Sequence, residues 1–234
     1  MTSPDMDVKT YLTRIGYSGP TEPTLDVLRS VHLHHQLSVT LFSGQVKSLK
    51  TGFYGPPFDH LIILVTLDGK RWLCDVGFGS QGFSSPLSLD TSDPQKLGHM
   101  VYRIREEKGM HFVEWQQEEI REPDGDWGAI YKFTFEPRCL EDFAEMCEYH
   151  QSSPCSIFFC KSFCTVLKSG GRLTYIGHRL TSTTFPTETH GIETSTREVK
   201  DEEIPQVLAD GFGIVLKSPF IPKDEAITPP TEMY

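Results

Sequence analysis

The 234-residue sequence is poor in several features, and each shortage removes a class of function. No apolar run approaches the ~18 residues that a membrane-spanning helix requires; the longest is the short stretch Leu61 to Val65, so no membrane partner is expected. Positive charge is scarce, with 22 Lys and Arg against 32 Asp and Glu and a net charge of −10. Phosphate-backbone binding depends on clustered Lys and Arg, and the densest basic stretch, Lys47 to Lys50, is sparse, so nucleic acid is not an expected partner. The opening residues, Met1 to Asp7, are polar and acidic and lack the apolar centre of a signal peptide. The six cysteines (Cys74, Cys139, Cys147, Cys155, Cys160, Cys164) contain no CxxC pair, the usual spacing of a zinc site. They read as reduced thiols of a cytoplasmic protein, mostly small buried hydrophobes. No cysteine precedes Cys74, and no repeat or long linker is present.

What remains is ordinary globular material. Hydrophobic residues make up 38% and aromatics 11%, including 15 Phe and 8 Tyr, enough to build a core and to set aside intrinsic disorder. Val8, Tyr11, Leu12 and Ile15 recur at helical spacing over Asp7 to Ile15, and Gly16 ends that segment. Pro23-Thr24 opens a second helix with Leu25, Leu28, Val31 and Leu33 toward the core. From Val39 the period changes to that of strands. His60 to Val65, the Asp68-Gly69 turn and Arg71 to Val76 form a hairpin. Further strands are expected at Val101 to Arg105, His111 to Gln116 and Ile130 to Glu136, spaced as in an antiparallel barrel or sandwich. Leu140 to His150 reads as a helix, Phe163 to Leu167 and Leu173 to Leu180 as strands, and Thr181 to Thr189 as a polar loop. Glu202 to Asp210 reads as a helix, and the Pro-rich tail from Pro222 as irregular.

Within the hairpin, His60 begins one strand and Asp75 lies on the return strand, so pairing through Asp68-Gly69 brings them within side-chain reach. A carboxylate beside a His fixes its tautomer and raises its basicity, as a general base requires. The same pair also serves purely structural ends in many proteins. Gly77-Phe78-Gly79 follows, where small residues let another chain or a ligand approach the backbone. His34 and His35 have no carboxylate or thiol at ligand spacing, so no metal site is expected. Trp72, Trp115 and Trp127 are read as core or interface, and the run Gln117 to Glu122 as a solvated face.

The motifs resemble those of the arylamine N-acetyltransferases. The segments Asp7 to Tyr17, Asp59-His60-Leu61, Leu73-Cys74-Asp75-Val76-Gly77-Phe78-Gly79, Lys161-Ser162-Phe163-Cys164, Ile176 to Thr181 and Asp201-Glu202-Glu203-Ile204 match family segments in order. The likeness runs from about residue 6 to about residue 223. It implies a mixed α+β fold of the cysteine-protease-like kind: a truncated N-terminal helical bundle over 1–38, a central antiparallel β-barrel over 39–136 and a C-terminal α/β lid over 137–234. It also implies a cytoplasmic monomer of xenobiotic metabolism that moves acetyl from acetyl-coenzyme A to arylamines or hydrazines through a thiolate. By the same resemblance His60 is the base and Asp75 its orienting partner. Cys155, Ser156 and Thr228 lie where coenzyme A would bind, and no metal is implied.

The sequence departs from the family at one place. The nucleophilic cysteine of these enzymes lies upstream of the His, in an Arg-Gly-Gly-aromatic-Cys run that opens a buried helix. Here Gln36-Leu37-Ser38 passes straight into Val39-Thr40-Leu41-Phe42, which resembles the strand after that helix, as if several dozen residues were skipped. Cys74 alternates away from Asp75 on its strand, and Cys164 is expected in a core, so neither is a ready substitute. Two readings stay open beside an impaired transferase: a non-catalytic protein that binds a ligand or a full-length paralogue, and a splice or gene-model variant.

Overall fold

Asp68 and Gly69, at φ of 51° and 73°, form the left-handed two-residue turn that joins twisted antiparallel strands without splaying them. This turn sets the register of β2 (His60–Leu67) against β3 (Lys70–Cys74), from Leu67 opposite Lys70 to Ile63 opposite Cys74. The computed structural model describes residues 12–13, 17–22, 24–48, 51–79, 82–98, 100–117, 127–168, 170–185 and 192–228. Among these, β1 (Val39–Val46), β4 (Leu87–Ser88), β5 (Gln95–Leu97), β6 (Met100–Glu107), β7 (Met110–Gln117) and β8 (Gly128–Phe133) complete one antiparallel sheet. Its strand order is β4-β3-β2-β1-β8-β7-β6-β5. At Gly44, opposite His60 on β1, an added Cβ would come within 2.8 Å of Ile62 Cδ1, so glycine is what lets the strands close up there.

The sheet curls until its edges almost meet. The side-chain amide of Gln95 on β5 donates to Ser88 O at 2.9 Å and accepts from Ser88 N–H at 2.8 Å on β4. One amide thus supplies the two bonds that a neighbouring strand would, and blunts an exposed edge. Phe42, Ile62, Leu64, Leu73, Leu87, Ile104, Val113, Ile130, Tyr131 and Phe133 fill the interior. The fold is the mixed α+β class with a nearly closed antiparallel barrel that the sequence implies.

After the barrel come a 3-10 turn, Leu140–Phe143, and two helices, α2 (Ala144–Ser152) and α3 (Ile157–Cys160). A second antiparallel sheet follows, β9 (Phe163–Lys168), β10 (Gly171–Ile176), β11 (Arg179–Thr184) and β12 (Glu193–Glu198), in the order β12-β11-β10-β9. A 3-10 turn, Asp201–Glu203, leads into α4 (Ile204–Phe212), whose Ile204 and Leu208 pack with Tyr175 and Val199 in a smaller core. Cys164 packs against that core.

Three expectations need correction. The strand read over Leu173 to Leu180 is broken at Gly177, whose φ of 59° turns the chain into the β10–β11 hairpin. The Thr-rich stretch from Thr181 is not loop at its start but continues β11 to Thr184. The segment after Pro222 is irregular over its described residues, 222–228, as expected, but it is tied down. Ser162 N–H donates to Lys223 O (2.8 Å), Glu225 N–H to Cys160 O (3.0 Å) and Thr228 N–H to Pro154 O (2.9 Å), and Lys161 Nζ meets Asp224 Oδ1 at 2.5 Å. These bonds lay the tail as a strap beside α3.

The third correction concerns α1 (Leu25–Ser38), capped by Thr24 Oγ1, which accepts from Val27 N–H at 3.2 Å. Leu25, Leu28 and Leu33 do not reach the core; they are 61%, 65% and 57% exposed. The helix then passes into β1 at Val39 with no connecting residue. The helix expected over Asp7 to Ile15 lies outside the described residues except for Leu12 and Thr13, as do the side chain of His35 and the acidic run beyond Gln117. An uncovered apolar face on α1 has a measurable consequence. The protein should bind an environment-sensitive anilinonaphthalene dye, and Leu25→Gln/Leu28→Gln/Leu33→Gln should bind several-fold less dye. Exposed sites change stability by only about 0.5 kcal/mol each, so its urea midpoint should barely move. A large fall in the midpoint would mean that the face is covered in solution.

Candidate active site

The register that Asp68-Gly69 imposes places Ile62 beside Asp75, and His60 shares a face with Ile62 because side chains two apart on a strand point the same way. His60 Nε2 and Asp75 Oδ2 stand 2.7 Å apart, with side-chain exposures of 14% and 1%. The second carboxylate oxygen accepts the backbone N–H groups of Gly77 and Phe78, each at 3.1 Å. The carboxylate is therefore fixed by the turn after β3, and Nε2–H of His60 donates to it. That assignment leaves Nδ1 as the nitrogen able to take a proton. Phe78 (5.4 Å between ring centroids) and Tyr131 (5.3 Å) wall the imidazole. Tyr131 is fully buried; burial first, and the Asp75 charge second, push its ionisation well above the usual phenol range.

Among the described residues no thiol hydrogen-bonds His60. Cys74, opposite Ile63, faces away from Asp75, and burial pushes its thiol up. Burial pushes Cys164 up to about 11. A thiolate is the nucleophilic form, so neither position offers one readily at neutral pH.

Cys155, Ser156 and Thr228, assigned from the sequence to coenzyme A, come together. The Thr228 N–H bond to Pro154 O joins the tail to their loop. Ser156 is buried, caps α3 by accepting from Phe158 N–H at 3.2 Å, and pairs with His150 Nδ1 at 2.9 Å. Cys155 is half-buried and its N–H donates to Ser153 Oγ at 3.2 Å. Two residues next to this cluster escaped the sequence reading. Asp59 accepts from Val46 N–H at 3.2 Å and faces His150 Nε2 at 3.7 Å. Its carboxyl is pushed up, chiefly by burial. Its place beside His60 was the one available signal. No cluster of three or more His, Cys, Asp or Glu able to hold a metal occurs among the described residues, and no helix among them is long and apolar enough to cross a membrane.

A carboxylate-braced imidazole on a barrel strand, beside a glycine-containing turn, has the geometry that a general base for a neighbouring nucleophile requires. A family profile described as N-acetyltransferase matches residues 33–221. Arylamine N-acetyltransferase 1 of Homo sapiens is 32% identical over 196 residues, covering 79% of this chain and 68% of that protein. Among solved structures, a Mycobacterium smegmatis arylamine N-acetyltransferase superposes with a TM-score of 0.65 at 22% identity, over 89% of this chain and 93% of that one. An arylamine N-acetyltransferase from Bacillus cereus, described as having a unique Cys-His-Glu catalytic triad, gives 0.62 at 21% identity, over 81% and 72%. The chain belongs to the arylamine N-acetyltransferase family, a family of acyltransferases.

Proposed function

We propose that this chain retains the base and the acetyl-coenzyme A cradle of an arylamine N-acetyltransferase but lacks the thiol that carries the acetyl group. The observation that carries this reading is the 2.7 Å His60–Asp75 contact beneath a chain with no cysteine before Cys74. His60 is the base through Nδ1 and Asp75 orients it. Cys155, Ser156 and Thr228 line the place for coenzyme A, and an aromatic amine or hydrazine is the acceptor class. The Bacillus cereus protein's triad joins a Cys, a His and a carboxylate; here the last two are paired and the first is missing. The direct run of α1 into β1 and the bare leucines of α1 support loss of a whole segment at Ser38-Val39 rather than decay of single residues. A cytoplasmic place in xenobiotic metabolism, as a monomer, follows from this reading.

A second reading, a ligand- or paralogue-binding protein without turnover, is favoured by the same exposed face. Calorimetry with acetyl-coenzyme A and with free coenzyme A tests the first. Binding of both is expected, accompanied by a shift of the His60 ring resonances with the acetylated form. No heat and no resonance shift at millimolar ligand would remove the cradle from the proposal.

A further inference from the structure

A recess lies on the other side of β2 from His60. Side chains alternate along the strand, and Leu61, not His60, contributes to its wall. Phe143, Met146, Cys147, His150 and Gln151 supply a second wall at helical spacing of three, four, seven and eight. Phe58, Asp59, Phe158, Phe159 and Lys223 complete an open groove of about 620 Å³, a size typical of small-molecule sites. The same helical spacing turns Glu145 and Glu148 away from it.

Four phenylalanines make the groove aromatic. Its charge is set by Lys223 on the strap, whose ammonium stands 4.4 Å from the Phe159 ring centroid. Among the described residues no carboxylate is paired with it. The neighbouring Asp224 is engaged by Lys161 and His178. The carboxylate of Asp59 is engaged elsewhere, accepting from Val46 N–H at 3.2 Å and facing His150 Nε2 at 3.7 Å. We propose that this groove binds a planar aromatic carboxylate, its ring against Phe158 and Phe159 and its anionic group on Lys223. The site is separate from the His60–Asp75 pair and does not depend on acetyl transfer. An aromatic amine, uncharged at neutral pH, would leave the Lys223 ammonium without an anion, so the preferred ligand is the acid and not the amine.

The test uses 2-naphthoate, with 2-naphthylamine and 2-naphthalenemethanol as its charge-altered partners. A charge-assisted contact is worth a factor of about ten, so calorimetry should find naphthoate at least that much tighter than either. Lys223→Gln should erase the preference and Lys223→Arg should keep it; the side chain is exposed, and a thermal melt confirms that both variants fold. The location is read independently by alkylation with iodoacetamide. Cys147 and Cys139 are both exposed, but only Cys147 lines the groove. Naphthoate should slow labelling of Cys147 several-fold and leave Cys139 unchanged. Equal affinity for the amine, a preference that survives Lys223→Gln, or unprotected Cys147 in saturating naphthoate would each overturn the proposal.

Discussion

Purified protein incubated with acetyl-coenzyme A and an arylamine should produce no acetylated amine above the uncatalysed background. A two-step transfer needs a covalent resting place for the acetyl group, and a thiolate beside the base is what provides it. On the proposed reading His60 would offer Nδ1 to such a thiol, but Cys74 faces away and Cys164 is held up to about 11. A base without its nucleophile retains general-base help alone, typically about 10²–10⁴-fold, against enzyme accelerations that begin near 10⁶. Mass spectrometry of the intact chain and its peptides after exposure to acetyl-coenzyme A makes the result decisive. Turnover together with acetyl on Cys74 or Cys164 would reveal a substitute nucleophile and a rearranged strand. Turnover without any acetylated thiol would point to direct transfer between bound substrates.

The His60–Asp75 contact was legible because its determinants are local. An Asp-Gly pair fixes a two-residue turn, the turn fixes register, and register alone brings His60 to Asp75. The barrel was legible for the same reason, its strands being marked by alternation and by polar turns. What failed was whatever depends on partners. The spacing of Leu25, Leu28 and Leu33 marks an apolar face but cannot say whether anything covers it. Glu193–Glu198 is exposed along its whole length, so it carries no alternation from which a strand could be read. Gly177 has strand-like neighbours on both sides, and its positive φ is a backbone property that a Gly-His pair does not announce. The groove joins Asp59, α2 and the strap through contacts between segments distant in sequence, and periodicity carries no information about those.

The largest loss of stability should come from Asp75→Ala. The carboxylate is almost wholly buried and accepts three hydrogen bonds, one from His60 and two from the Gly77 and Phe78 amides. Removing it strands the imidazole N–H in a pocket walled by Phe78 and Tyr131, with a cost of about 3 kcal/mol expected for losing a charged, buried acceptor. Asp75→Asn should cost less, about 1–2 kcal/mol, since its amide oxygen can still receive both backbone N–H groups. Its NH₂ would then face Nε2 of His60, which must give up its proton and accept. The tautomer therefore reverses, and the nitrogen that was free to take a proton becomes the one that carries it. Urea titration of the two variants separates the contributions, and the imidazole nitrogen shifts of His60 report the tautomer. Combining each variant with His60→Ala in a double-mutant cycle isolates the pair from the backbone contacts. An Ala variant within about 0.5 kcal/mol of the parent would mean that the carboxylate is solvated and does not hold the imidazole in place.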